Sequence, residues 1–202
     1  MLVEREQETD EDLLLASNSG SEAAFVALYR KWQGPIYRFA LRMSGSEGIA
    51  EDVTQEVFMA VVGGASGYDP GKGPLAAYLF GVARNQVLRR ITRDRSVVSL
   101  DDEYGEVSID EFAARPDPLL DLTREETVQR VRDAIGVLPL HYREVVLLCE
   151  IQELSYLDAA AALGCAVGTV RSRLHRAKQM LLDRLSVSEQ RAAAPALRAE
   201  RY

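Results

Sequence analysis

The stretch Leu154-Ser155-Tyr156-Leu157-Asp158-Ala159-Ala160-Ala161-Ala162-Leu163-Gly164-Cys165-Ala166-Val167-Gly168-Thr169-Val170-Arg171-Ser172-Arg173-Leu174-His175-Arg176-Ala177 decides how the rest of the chain reads. Ser155, followed three residues later by Asp158, resembles a capping box, with Asp standing for the more usual Glu or Gln. The helix it opens runs to Leu163 and is rich in alanine, the best helix former. Gly164 sits where a tight turn needs positive φ. A last helix over about 168–185 then puts Val170, Leu174, Ala177, Leu181 and Leu185 on a buried stripe. Its opposite face carries Arg171, Ser172, Arg173, His175, Arg176 and Lys178.

A short capped helix, a glycine turn and a helix with an apolar inner face and an arginine-rich outer face form a helix-turn-helix pattern. The second helix of such a pair fits the DNA major groove. Its N-terminal amides favour phosphate, and arginine makes bidentate contacts to guanine or phosphate. A basic helix alone is more often a solvated face. The capped preceding helix and the glycine turn are what point to DNA.

Working outward, Val128, Val131, Ile135 and Leu138 step by three and four until Pro139 stops the run. A further helix covers about 140–149, with Val145, Val146 and Leu148 apolar. Residues 96–122 lack a sustained period and contain Asp101-Asp102-Glu103, Gly105, Pro116 and Pro118, the composition of a linker. Its length exceeds the usual loop of a compact domain, which favours two domains over one. Upstream, Phe25, Leu28, Trp32, Ile36 and Phe39 mark one helical face from near Ser21, which Pro35 is expected to bend or break. A helix from about Ile49 to Val62 follows, with Val53, Val57, Ala60 and Val61 on one side and Gly63-Gly64 at its end. The loop from Gly67 to Pro74 leads into a helix from about Leu75 to Arg93. The expected fold is all-α: two small helical domains joined by a flexible acidic linker. The expected division is an acidic leader over 1–20, a first domain over 21–95, the linker over 96–122, a second domain over 123–185 and an unassigned tail over 186–202.

Charge position matters more than total charge. The chain carries a net −7, which by itself argues against nucleic acid. Yet residues 84–95 carry +4, with Arg84, Arg89, Arg90, Arg93 and Arg95 against Asp94. Residues 171–184 also carry +4, and residues 97–126 between the two patches carry −8. Two basic patches on an acidic tether attract phosphate locally despite the acidic sum. No window holds 18 consecutive apolar residues, and the acidic start (Glu4, Glu6, Glu8, Asp10, Glu11, Asp12) is unlike a signal peptide. A cytoplasmic protein without membrane insertion is expected. Cys149, Cys165, His141 and His175 are too few and scattered for a zinc motif, so no metal or cofactor is expected. With no nucleophile–base pair or phosphate loop, neither is an enzyme.

The stretch quoted first resembles region 4.2 of the bacterial extracytoplasmic-function (group IV) sigma factors, whose wording is close to L-S-Y-x-E-I-A-x-x-L-G-x-x-x-G-T-V-K/R-S-R-L-x-R-A. In that family the module reads the −35 promoter element, and the matching residues here are Thr169, Arg171, Ser172, Arg173, His175 and Arg176. Ala159 stands where isoleucine is usual, and Ala166 offers no side-chain cap. The segment from Ala50 to Phe58 resembles region 2.2, which docks on the β′ clamp helices of RNA polymerase. The resemblance assigns Glu51, Asp52, Gln55, Glu56 and Phe58 to that contact. Leu79-Phe80-Gly81-Val82-Ala83-Arg84-Asn85 resembles the family's L-Y-R-I-A-R-N beside the melted −10 element. By this resemblance Asn85 lies near a flipped base and Arg84, Arg89 and Arg90 near the backbone, Tyr68 to Lys72 form the adjacent specificity loop, and Tyr78, where the family usually has Trp, joins the −10 site.

The implied function is promoter-specific initiation. The first domain anchors on core polymerase and stabilises single-stranded −10 DNA; the second holds duplex −35 DNA near the β flap. An anti-sigma protein is implied as a further partner. The competing reading is a free-standing helix-turn-helix regulator, which accounts for residues 123–185 but leaves the two first-domain matches as coincidence. The linker is expected to thread toward the RNA exit path, where the −8 charge of residues 97–126 mimics nucleic acid. Neutralising Asp101, Asp102, Glu103, Glu106, Asp110 and Glu111 together should therefore weaken polymerase affinity and run-off transcription. If neither changes, the mimicry is not real.

Overall fold

A computed structural model of the chain describes residues 8–62, 67–96 and 122–193, and every regular element among them is helical. Apart from its two end residues, the expected linker lies outside the described residues. So do Gly63, Gly64 and the end of the tail beyond residue 193.

The first helix falls within the acidic leader. Helix α1 (Asp10–Asn18) is opened by a reciprocal capping box: the Asp12 amide donates to Thr9 Oγ1 at 3.2 Å, and the Thr9 amide donates to Asp12 Oδ2 at 3.1 Å. The Thr9 hydroxyl and amide hold the Asp12 carboxyl below its usual range. Leu14 is buried against the bundle, and Lys31 pairs with Asp10 at 2.6 Å.

Helix α2 (Glu22–Ser44) starts at the Ser21 cap and ends at Gly45, whose φ of 75° is the left-handed geometry that glycine adopts without strain. It runs unbroken through Pro35, so the break read from the sequence as one of two outcomes does not occur. A proline disfavours helical geometry in the preceding residue by clashing with its Cβ, and here that residue is Gly34, which has none. Ile36, Phe39, Ala40 and Met43, immediately beyond the proline, are all buried, so packing holds the helix together past the missing hydrogen bond.

Helix α3 (Glu47–Val62) and helix α4 (Leu75–Ser96) complete the first bundle. Its core joins Leu28, Ile36 and Phe39 of α2, Val53 and Val57 of α3, and Leu75, Leu79, Phe80 and Val87 of α4. Phe80 meets Phe39 edge-on at 5.3 Å and Trp32 at 6.0 Å. A short 3₁₀ turn, Pro70–Lys72, lies in the loop ahead of α4.

The second bundle contains α5 (Leu122–Gly136), α6 (Leu140–Val146), a π-type turn (Leu147–Ile151), α7 (Tyr156–Leu163) and α8 (Val167–Ala193). Helix α8 extends eight residues past the expected limit of 185. Ile135, Leu138, Val145, Leu148, Val170, Leu174 and Ala177 form its interior.

The two bundles are packed against each other, α4 on α7 and α2 against α6. At the junction lies Arg143, only 2% exposed. Its guanidinium donates to Met43 O at 2.9 Å, to Leu138 O at 3.1 Å and to Gly136 O. Met43 is in the last turn of α2 and Gly136 is the last residue of α5, so one cation serves the negative ends of two helices from different bundles. Burial lowers its pKa to about 10, which leaves it charged at neutral pH. Replacing it with methionine would strand three buried carbonyls, at about 1–3 kcal/mol for each that finds no new partner. Arg143→Met should lower the urea midpoint by a stability loss of about 3 kcal/mol or more, whereas a loss under about 0.5 kcal/mol would mean the carbonyls are resatisfied.

Candidate nucleic-acid interface

Local chemistry sets the angle between α7 and α8. Ser155 Oγ accepts the Asp158 amide at 3.1 Å and donates to Asp158 Oδ2 at 2.6 Å, closing the start of α7. At its end Gly164 turns left-handed at φ 63°. The Cys165 amide then reaches Ala160 O at 3.1 Å and the Gly164 amide reaches Ala161 O at 3.3 Å, the paired bonds of a Schellman end. Val170, Leu174 and Ala177 bury the inner stripe of α8.

The outer face of α8 divides the residues read from the sequence. Arg171, Ser172, His175 and Arg176 are exposed, and Thr169 is half-buried. Arg171 lies 6.0 Å from the Tyr156 ring, and His175 shares a 3.1 Å contact with Gln179. Arg173 turns inward instead, to Glu144 Oε1 at 3.2 Å. Lys178 pairs with Glu150 at 2.9 Å.

On the first bundle, Tyr68, Lys72, Tyr78 and Asn85 surround a cavity of about 240 Å³ together with Gly81 and Val82. The Tyr68 and Tyr78 rings lie 5.6 Å apart. Tyr68 donates to Glu11 Oε1 at 3.0 Å, and the same carboxylate oxygen accepts the Leu75 amide at 3.3 Å. Burial, reinforced by Glu11, pushes the Tyr68 phenol up to about 12, so it remains a neutral donor. Arg84 turns away from the cavity to Glu144, with Nε 2.7 Å from Oε2. Arg89 is exposed, whereas Arg90 crosses to α3 and pairs with Glu56 at 2.5 Å.

The α3 residues divide in the same way. Glu51, Gln55 and Phe58 line a groove of about 1280 Å³ against α2, with Tyr29 and Met59 also on its walls. Glu56 and Asp52 face Arg90 on α4, at 2.5 and 3.9 Å. Among the described residues no group of three or more His, Cys, Asp or Glu is placed to hold a metal. No described helix is long and apolar enough to cross a membrane. Burial raises the Cys149 thiol to about 11, far from the thiolate a redox sensor requires.

Two known sequence patterns match the two bundles: sigma-70 region 2 over residues 28–97 and sigma-70 region 4 over residues 128–181. The chain belongs to the sigma-70 family. Its curated relatives place it in the extracytoplasmic-function, or group IV, branch, the promoter-directing subunits of bacterial RNA polymerase. It is 33% identical to the ECF RNA polymerase sigma factor SigE of Mycolicibacterium smegmatis over 83% of this chain and 65% of that protein. Against the ECF RNA polymerase sigma factor SigC of Mycobacterium tuberculosis the identity is 33%, over 84% of this chain and 88% of the relative. Among solved structures it resembles CnrH in complex with the cytosolic domain of CnrY (TM-score 0.62, 26% identity, 88% of this chain and 97% of that one). It also resembles the sigma factor RpoE from Bartonella quintana in complex with the anti-sigma factor NepR (TM-score 0.60, 32% identity, 77% and 92%).

Region 2 thus comprises the α2–α4 bundle and region 4 includes the α7–α8 pair. Sequence reasoning missed Glu144, which touches one arginine from each basic patch, and Glu11, which holds the Tyr68 loop onto α4. Glu144 left no local signal. Glu11 lies within Thr9-x-x-Asp12, the same type of capping signal that marked α7. For Arg90 the geometry gives a structural prediction. Arg90→Met should cost region 2 about 1 kcal/mol in urea denaturation, because it removes a half-exposed ion pair between α3 and α4. Full stability with lost DNA binding would return Arg90 to the DNA face.

Proposed function

We propose that this sigma factor docks on core RNA polymerase through the α2–α3 groove and reads the −10 element at the Tyr68–Tyr78–Asn85 cavity. The exposed outer face of α8 reads the −35 duplex. The observation that carries this reading is the pairing, in one chain, of an aromatic-walled cavity formed by region 2 and bordered by Ala161 and Ala162 of α7 with an arginine-bearing helix on region 4. A melted base needs a pocket with stacking faces and polar edges, which Tyr68, Tyr78 and Asn85 supply. Duplex DNA needs a helix of groove-reading side chains, which Arg171, Ser172, His175 and Arg176 supply. Glu51, Gln55, Phe58 and the exposed Met59 give the groove a mixed apolar and acidic lining suited to a basic helical partner.

The partner set follows from the family. Core polymerase meets the groove on its β′ clamp helices and region 4 at the β flap. An anti-sigma protein competes for these surfaces, a reading supported by the solved relative held by the anti-sigma factor NepR. Arg84 and Arg89 serve the −10 backbone, Lys72 the specificity loop beside it, and Thr169 and Arg173 the −35 site.

The test is run-off transcription with host core polymerase on a pool of genomic promoter fragments. Selective, protein-dependent initiation is expected, and aligned start sites will yield both elements. Duplex binding without initiation would favour the free-standing regulator. On a promoter so found, Arg171→Ala and Arg176→Ala should each weaken −35 binding by about 1–3 kcal/mol where they read a base edge. Where they meet phosphate, each should instead lower the salt dependence by about one unit of slope.

A further inference from the structure

The cavity that Tyr68, Tyr78 and Asn85 line is assembled from two separate pieces of chain. Tyr68 belongs to the loop ahead of α4, whereas Tyr78 and Asn85 stand on α4 itself. The loop has a permissive backbone. Gly67 and Gly73 adopt φ of 53° and 139°, and Gly71 lies between them, so the loop has much conformational freedom to lose. Its internal bonds shape a turn: the Lys72 amide reaches Asp69 O at 2.9 Å and the Gly71 amide reaches Asp69 Oδ1 at 3.0 Å. Neither bond fixes the loop to α4.

A contact that does so comes from outside the matched region 2. Glu11 lies on α1, ahead of residues 28–97. Its Oε1 accepts the Tyr68 hydroxyl at 3.0 Å and the Leu75 amide at 3.3 Å. The first donor is on the loop. The second is in the first turn of α4, where a helix leaves amides without internal partners. The Tyr68 hydroxyl also lies 3.3 Å from Gly73 O, within its own loop. Glu11 is itself anchored, because Leu14 is 3% exposed and Asp10 pairs with Lys31 of α2 at 2.6 Å. Its own backbone amide, the Leu75 amide and the Tyr68 hydroxyl hold its carboxyl below the usual range against the effect of burial, so it is an anion at neutral pH. An anion repels the phosphates of a nearby single strand, so what Glu11 contributes here is geometry and not attraction. With the Tyr68 and Tyr78 rings 5.6 Å apart, one oxygen ties together both aromatic walls.

We propose that Glu11 is a positioning residue for −10 readout: from α1 it holds the Tyr68 loop on the first turn of α4 and so sets the shape of the cavity that receives a melted base. This rests on the reading of the cavity given above and deepens it. The carboxylate touches no base. It raises the fraction of molecules whose loop is already in the binding geometry, and apparent affinity follows that fraction.

The test separates reach from charge. Glu11→Asp keeps the anion, which suits the first turn of a helix, but shortens the side chain by about 1.5 Å. Glu11→Gln keeps the length and an acceptor oxygen but removes the charge. Tyr68→Phe keeps the ring and removes the donor. Each full-length variant, and the double variant of Glu11→Asp with Tyr68→Phe, is assembled with host core polymerase. Fluorescence anisotropy reads binding of a labelled single strand carrying the −10 element of a promoter recovered by run-off transcription, and of strands with single bases of that element changed. Assembly with core and binding of a −35 duplex are read in parallel.

Glu11→Asp should bind the −10 strand about tenfold more weakly and discriminate less between bases, with −35 binding and assembly unchanged. Glu11→Gln should stay within about threefold of wild type. Tyr68→Phe should lose about as much as Glu11→Asp, and the double variant no more than either alone, as expected for two ends of one bond. Wild-type −10 binding by Glu11→Asp would overturn the proposal, as would equal losses at −10, −35 and assembly. So would losses that multiply in the double variant, or a reversed pattern in which Gln fails and Asp does not. Those outcomes leave the sigma reading standing, because the wild type still initiates and binds the strand. A wild type that does neither would overturn the reading of the cavity, and the role of Glu11 with it.

Discussion

Two adjacent residues of opposite charge, Arg143 and Glu144, hold the arrangement of the whole molecule. Both are 2% exposed, yet neither is the other's partner in the hydrogen bonds they make. Arg143 faces backbone carbonyls at two helix ends, and Glu144 faces two arginines. A buried ion costs several kcal/mol to desolvate, and it persists only where its hydrogen-bonding capacity is met. Arg143 meets much of that demand through its two terminal nitrogens, using oxygens that helix geometry leaves over anyway, while its buried Nε has no hydrogen-bond partner. Glu144 meets it with guanidinium groups from both bundles. The position of region 4 on region 2 thus follows from polar satisfaction as much as from apolar burial.

The same economy recurs at smaller scale. Glu11 accepts both the Tyr68 hydroxyl and the first amide of α4, so the acidic start of the chain fixes the loop and the helix that enclose the base-sized cavity. Arg90 joins α4 to Glu56 on α3. Charged residues that the family resemblance assigns to DNA or polymerase are thereby divided into those that face outward and those that brace the helices behind them. Arg171 and Arg176 belong to the first kind in this structure, and Arg84, Arg90 and Arg173 to the second.

Local periodicity made much of the fold legible. The stripe Leu28, Ile36, Phe39 and the stripe Val170, Leu174, Ala177 are buried as their spacing requires, and Ser155 and Gly164 bound α7. Three features were not legible in this way. The continuity of α2 through Pro35 depends on Gly34 and on packing from α3 and α4, which a proline rule does not include. Helix α1 was obscured by its acidic composition, although its capping box is written in Thr9 and Asp12. Met43 lies 100 residues from Arg143 and Arg84 lies 60 from Glu144, and no helical period records a contact at that distance. The inward turn of Arg84 and Arg173 was hidden for the same reason: a helical face gives a side chain's direction, but not which buried acid waits there.

The alanine-rich character of α7 has a consequence for the seam between the two bundles. The surface that α7 presents at Gly81 and the cavity consists of methyl groups and backbone, not leucine or phenylalanine. Parting it from α4 uncovers little apolar area there, and the hydrophobic cost scales with that area. A separated chain would thus gain no large greasy patch at this seam and would have little tendency to aggregate through it. Small residues keep the apolar area at this point of the seam low.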